Sequence, residues 1–224
     1  MSDNVFHVFS AVLRKDLRRE LRSREIFISS FLFSVILLVI IFYASKTSGV
    51  QLEAMSSGAL WLCILFSGTI GLNRSHQSET ANGCYRALIL APVEGGWLYL
   101  AKVCSNALLL IVMELLLLPL LVLFYHTDIS KNLGMLVTSL ALGTIAFTAV
   151  GNLVVVITAN TRMKDVLFPV VQLPLMVPTL IAAVNATELA LQGKTPSNWL
   201  QVLVAVNVVF LSAGFLLYDF LLEE

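Results

Sequence analysis

Six apolar runs, each long enough to cross a bilayer as a helix, divide this chain: Ile26–Ala44, Leu52–Leu72, Leu98–Phe124, Leu133–Thr158, Val166–Ala186 and Trp199–Phe220. A hydrocarbon core about 30 Å thick is crossed by ~17–25 helical residues. Helix is the conformation left to such runs, because unpaired backbone groups are too costly in lipid and the alternation of a barrel strand is missing. The third and fourth runs are long enough to tilt or to project into water. The fold class that follows is an all-α membrane protein with six transmembrane helices. Only 12% of the residues are charged, against about 25% in soluble domains. That is too few to coat a water-facing surface, and no stretch between the runs is long enough to fold separately. The first run exceeds the ~7–15 residues of a cleavable signal core, and its exit lacks a small-residue cleavage site. It is expected to persist as a signal-anchor.

The net charge is zero and points to no nucleic acid, but the distribution of charge is informative. With the N-terminus inside, eleven basic residues face the cytoplasm: Arg14, Lys15, Arg18, Arg19, Arg22, Arg24, Arg74, Arg86, Lys102, Arg162 and Lys164. Three face outward: Lys46, Lys131 and Lys194. Basic residues concentrate on the cytoplasmic side, so both termini are expected inside.

Residues 1–25 form the first expected unit, an amphipathic N-terminal helix over 5–24. Phe6, Phe9, Leu13, Leu17 and Leu21 gather on one arc, and Arg14, Lys15, Arg18, Arg19 and Arg22 on the other. Such a helix lies along the membrane surface with its basic side near lipid phosphates. Asp16 and Glu20 fall on the apolar arc, where lipid would penalise them. They are expected to meet protein partners, with Arg162 and Lys164 as the leading candidates. Residues 26–224 form the six-helix transmembrane domain. Its connection over 73–96 begins polar, turns apolar at Ala87–Pro92, and is expected to hold one or two short cytoplasmic helices against the membrane.

Candidate chemistry is sparse. Gly193-Lys194-Thr195 ends like a phosphate-binding loop, but Glu188 stands where its first glycine belongs. ATP hydrolysis is therefore expected on a separate chain. Cys63, Cys84 and Cys104 have no metal or disulfide spacing, and His7, His76 and His126 cannot converge, so no catalytic residue, metal site or bound cofactor is assigned. Glu114 is the ionisable residue nearest the centre of a span. It must face protein or water, or be protonated, and it serves as glue between helices or as part of a pathway or moving interface. Pro169, Pro174 and Pro178 each remove a backbone donor from the fifth span, which is expected to be bent or broken.

Several stretches resemble a known family. They include Gly58-Ala59-Leu60-Trp61, Leu65-Phe66-Ser67-Gly68 and Gly71-Leu72-Asn73-Arg74-Ser75. Glu79-x-x-Asn82-Gly83, Leu90-Ala91-Pro92 and Lys102 follow. The N-terminal Lys15-Asp16-Leu17-x-x-Glu20-x-Arg22-Ser23-Arg24-Glu25 fits, as do Gly151, Val166-Leu167-Phe168-Pro169, Leu173-Pro174-Leu175 and Val177-Pro178. In order and spacing these are similar to the haem exporter protein B family of cytochrome c maturation, across essentially the whole chain. The resemblance implies a permease-like subunit of an ABC-type complex in the bacterial inner membrane. It implies an ATPase partner that binds ATP, a haem-handling membrane subunit and a small accessory protein, with haem in the complex. The family's cytoplasmic motif falls on His76, Glu79, Asn82, Gly83, Cys84 and Tyr85, which the resemblance makes the ATPase-coupling residues. One of the motif's two acids is present, as Glu79.

The leading reading is a subunit that couples ATP hydrolysis on its partner to haem export or to release of a haem-loaded chaperone. The alternative is a non-transporting membrane scaffold for the haem-handling subunit. An independent carrier should show internal repeats and several midplane polar sites, and only Glu114 suggests one.

Overall fold

The computed structural model describes residues 9–18, 25–49, 51–81, 94–159, 161 and 164–223. Every regular element among them is a helix. Helix α1 covers 9–18. It is followed by α2 (Glu25–Thr47), α3 (Leu52–Ala81), α4 (Gly95–Tyr125), α5 (Leu133–Ala159), α6 (Lys164–Leu191) and α7 (Ser197–Glu223). The last six are each long and apolar enough to cross a membrane, so the chain is a multi-pass all-α membrane protein.

One expectation about these helices changes and another narrows; residues 82–93 of the connection lie outside the described residues. The residues after the second span do not begin a separate short helix: Asn73–Ala81 continues α3, which runs unbroken for 30 residues. Arg74, Gln77, Glu79 and Ala81 sustain a helix well, and no glycine or proline interrupts the chain until Gly83. Of the two outcomes expected for the fifth span, bent or broken, the break is excluded. Pro169, Pro174 and Pro178 all lie inside the single helix α6. Packed against neighbouring helices, a transmembrane helix tolerates the backbone groups that proline frees.

Helix α5 is the centre of the bundle. It packs on α3, α4, α6 and α7, and 78% of its span is buried, against 17% for the first and last spans. Helix α2 leans chiefly on α3. Lipid tails are as apolar as leucine side chains, so association relies on close fit and interhelical hydrogen bonds. The close fit comes from large rings set against glycines. A Cβ at Gly143 of α5 would stand 2.1 Å from the ring of Trp61 on α3. One at Gly214 of α7 would stand 2.1 Å from Tyr99 on α4, and one at Gly68 of α3 would lie 2.6 Å from Phe147 on α5.

The polar ends of these rings are also used. Trp61 Nε1 donates to Thr187 Oγ1 on α6 at 3.0 Å. The Tyr99 hydroxyl lies 2.9 Å from the Ala149 carbonyl and 3.2 Å from that of Phe210, between α5 and α7.

Gly143→Ala should therefore destabilise the bundle by about 1–3 kcal/mol through overpacking against Trp61. Gly134→Ala, on the same helix where a Cβ meets nothing within 4 Å, should leave stability unchanged or raise it. Thermal unfolding in detergent micelles checks the pair, and an equal drop in both variants would contradict this packing.

Candidate functional site on the fourth helix

Helix α4 is apolar except along one stripe. Lys102, Ser105 and Asn106 stand three and four residues apart, and Glu114 follows eight beyond Asn106. Residues at these spacings share a helix face. Each finds a partner inside the protein, because lipid offers none.

At the first turn of the stripe, α1 docks. Val12 of α1 is buried among Leu98, Tyr99, Ala149, Leu153 and Tyr218, with Phe9 packed alongside. Val12 and Asp16 lie one turn apart and share the buried side of α1. Lys102 Nζ donates to Asp16 Oδ2 at 2.9 Å, and Ser105 Oγ donates to the same oxygen at 3.2 Å. Lys15 Nζ stands 3.3 Å from the other carboxylate oxygen. Burial pushes the Asp16 carboxyl up, but Lys102 and then Lys15 pull it down further, so it settles below its ordinary 3.8. The acid on the apolar arc thus has the protein partner its position demanded. The observed partner is Lys102 of α4. Arg162 lies outside the described residues, and of Lys164 only the backbone is described.

Further along, Asn106 Nδ2 donates to Asn152 Oδ1 of α5 at 2.9 Å. Asn152 Nδ2 in turn donates to the Thr148 carbonyl at 2.8 Å. Glu114 is buried, 3% exposed, and hydrogen-bonds the Thr144 hydroxyl of α5. From Asn106 to Glu114 is eight residues along α4, and from Asn152 to Thr144 is eight back along α5. One antiparallel register therefore satisfies both pairs, about 12 Å apart along the helices. Glu114 faces protein, as its place in the span required.

The other assigned residues are described less fully. His76 and Glu79 lie on the final turns of α3, with only their backbone described. Glu20, Asn82, Gly83, Cys84 and Tyr85 lie outside the described residues. Among the described residues, no three His, Cys, Asp or Glu side chains gather closely enough to hold a metal ion. Sequence reasoning missed Asn106, Asn152 and the role of Lys102. The available signal was the helical spacing of Lys102, Ser105, Asn106 and Glu114 within one apolar run.

Six spans, a docked N-terminal helix and a polar stripe spent on helix contacts define a class: a polytopic helical membrane protein whose buried polar groups hold the bundle together. The whole-chain comparison is more specific. Residues 7–217 match the family described as CcmB protein, and the chain belongs to that family. Similar proteins named heme exporter protein B occur in several bacteria. That of Pseudomonas aeruginosa is 26% identical over 203 residues, spanning 89% of this chain and 91% of the relative. That of Rhodobacter capsulatus is 27% identical over 183 residues, spanning 82% and 84%. That of Paracoccus denitrificans is 27% identical over 202 residues, spanning 90% and 92%.

Removing one member of the buried pair leaves the other charge uncompensated, so Asp16→Ala or Lys102→Ala should each cost about 3–5 kcal/mol. The reversal Asp16→Lys with Lys102→Asp should recover part of that loss, and a double variant no better than the sum of its singles would contradict direct pairing. The sign of the pH dependence follows from the lowered Asp16 value. The contribution of the pair is full above the ordinary carboxylate range and is lost as pH falls through the lowered value. Unfolding midpoints of wild type against Asp16→Ala should therefore differ constantly from about pH 8 to about pH 5 and converge only in more acidic buffer.

Proposed function

We propose that this chain is the membrane subunit of an ABC-type haem-export complex in cytochrome c maturation. It sits in the bacterial inner membrane with both termini in the cytoplasm. Membership of the CcmB family and the name heme exporter protein B carried by its relatives support the reading. The eleven-to-three distribution of basic residues supports the orientation. In this reading residues 1–25 dock as the amphipathic helix, 26–224 form the transmembrane domain, and 73–96 is the coupling segment. ATP binds and is hydrolysed on a separate ATPase chain. A haem-handling membrane subunit and a small accessory protein complete the complex.

The observation that carries the coupling role is the length of α3. Its membrane-crossing part ends at Ser75, and the helix goes on to Ala81. Thirty helical residues measure about 45 Å, against a hydrocarbon core of about 30 Å. A displacement applied to His76 or Glu79 at its end travels along a continuous helix into the bundle. There Trp61 of the same helix is interlocked with Gly143 of α5. Helix α4 leaves the segment from Gly95 and carries the polar stripe. The coupling segment thus lies between the helix set against Gly143 and the helix that holds α1. Asn82, Gly83, Cys84 and Tyr85 would complete the surface presented to the ATPase.

An acid at such a surface meets a basic residue of the partner, and truncating or reversing one side of a desolvated charge pair costs ~2–5 kcal/mol of binding. Glu79→Lys should loosen ATPase association while leaving membrane insertion intact. The assay is co-purification of the ATPase, read beside cytochrome c production. Wild-type ATPase recovery with normal cytochrome c would overturn the assignment of Glu79. ATPase recovery lost while cytochrome c stays normal would instead favour the scaffold reading.

A further inference from the structure

A cavity of about 50 Å³ lies between α2, α3 and α4. Its walls include Ser30 of α2, Ser67, Gly71 and Ser75 of α3, and Asn106 of α4. Phe27, Leu72, Leu109, Leu110 and Met113 supply the larger, apolar part of the wall, and the three hydroxyls and one amide are the polar groups set into it. Ser30 makes the case sharper. It is 3% exposed, it lines the cavity, and its hydroxyl has no hydrogen-bond partner among the described residues. Its backbone carbonyl is taken by Ser34 Oγ at 2.9 Å. Ser67 Oγ gives its proton to the Cys63 carbonyl at 2.6 Å and keeps acceptor capacity toward the cavity. The wall residues Gly71, Ser75 and Asn106 are only half-buried and form the mouth, while Ser30 and Ser67 form the floor.

Size selects the occupant. Sites for drug-sized ligands run to ~300–1,000 Å³, far above this volume. One water needs roughly 10–15 Å³ on the same measure and about three polar partners. A few waters fit here, and the polar groups to hold them are in place.

We infer that this cavity is a hydration site, in which a small water cluster bridges Ser30 of α2, Ser67 of α3 and Asn106 of α4. The cluster satisfies the Ser30 hydroxyl. It also makes this part of the three-helix contact wet where the interlocked glycine contacts are dry. Exchangeable water re-forms its hydrogen bonds after a small shift, so α3 can move against α2 and α4 here without breaking fixed side-chain pairs. The hydration itself does not depend on the proposed function.

The test uses silver ion, a water-sized cation that reacts with thiols, on permeabilised membranes. The background carries Cys63→Ala, Cys84→Ser and Cys104→Ala. Two variants are compared: Ser30→Cys, on the cavity floor, and Ser34→Cys, buried one turn away against Met113. After exposure the protein is denatured, and the thiols left free are alkylated and counted by intact mass. Thiol reactivity follows access to water, so Ser30→Cys should be blocked at least about tenfold faster than Ser34→Cys. Adding Gly71→Leu should abolish that difference. Gly71 lines the cavity and a Cβ there meets nothing within 4 Å, so a side chain at this position starts in open space and takes up volume that water would occupy. Equal rates for the two cysteines would overturn the inference. So would a Ser30→Cys rate untouched by Gly71→Leu, or a Ser30→Cys thiol that reacts with a lipophilic maleimide and is spared by silver, which would mean that acyl chains fill the space.

Discussion

Asp16 and Lys102 are opposite charges 2.9 Å apart, both buried at the edge of an apolar bundle. Neither could remain there alone, because an uncompensated buried charge is far more costly than a paired one. The pair fixes where α1 sits. Without it, the N-terminal helix would have only its apolar contacts to hold it to one side of the bundle. With it, Val12 and Phe9 fall against α4, α5 and α7, and the helix becomes part of the protein. Lys102 is also the first residue of the α4 stripe, so the group that holds α1 belongs to the element that organises the interior.

The same rule runs along α4. A polar side chain inside a bilayer needs a partner on a neighbouring helix, and each partner fixes a register. Asn106 with Asn152 and Glu114 with Thr144 agree on one alignment of α4 with α5. Ring-against-glycine contacts then bring α3 and α7 close on either side. The cavity by Ser30 is an exception to dry packing in a bundle built on close approach, and it lies beside α3, whose helix continues past its apolar span to Ala81.

The membrane spans were readable because lipid imposes a length and a composition that no soluble segment needs to meet. Leu133–Thr158 has the same limits in the sequence and in the structure. The continuity of α3 was not readable: Asn73–Ala81 is polar, and helix propensity without an apolar stripe does not show whether a helical stretch continues the span before it or stands apart. The prolines of α6 left two outcomes open, a bent helix or a broken one, and the single helix excludes only the break. Asp16 announced itself as an acid on an apolar arc. Its partner lies 86 residues away, and only the packing of α1 on α4 brings the two together. The proposed coupling residues rest on family likeness alone, because polar positions outside the spans leave no trace in the apolar pattern.

The central claim is mechanical: nucleotide on a partner ATPase moves α3 relative to the part of the bundle that carries α1. Spin labels at Arg74→Cys on α3 and Ala11→Cys on α1, both exposed positions, report that distance in the intact complex purified with its ATPase. The account predicts that the distance distribution shifts between nucleotide-free and ATP-bound complexes. An assembled complex whose distribution is the same in both states, or a purified complex that contains no ATPase, would contradict it.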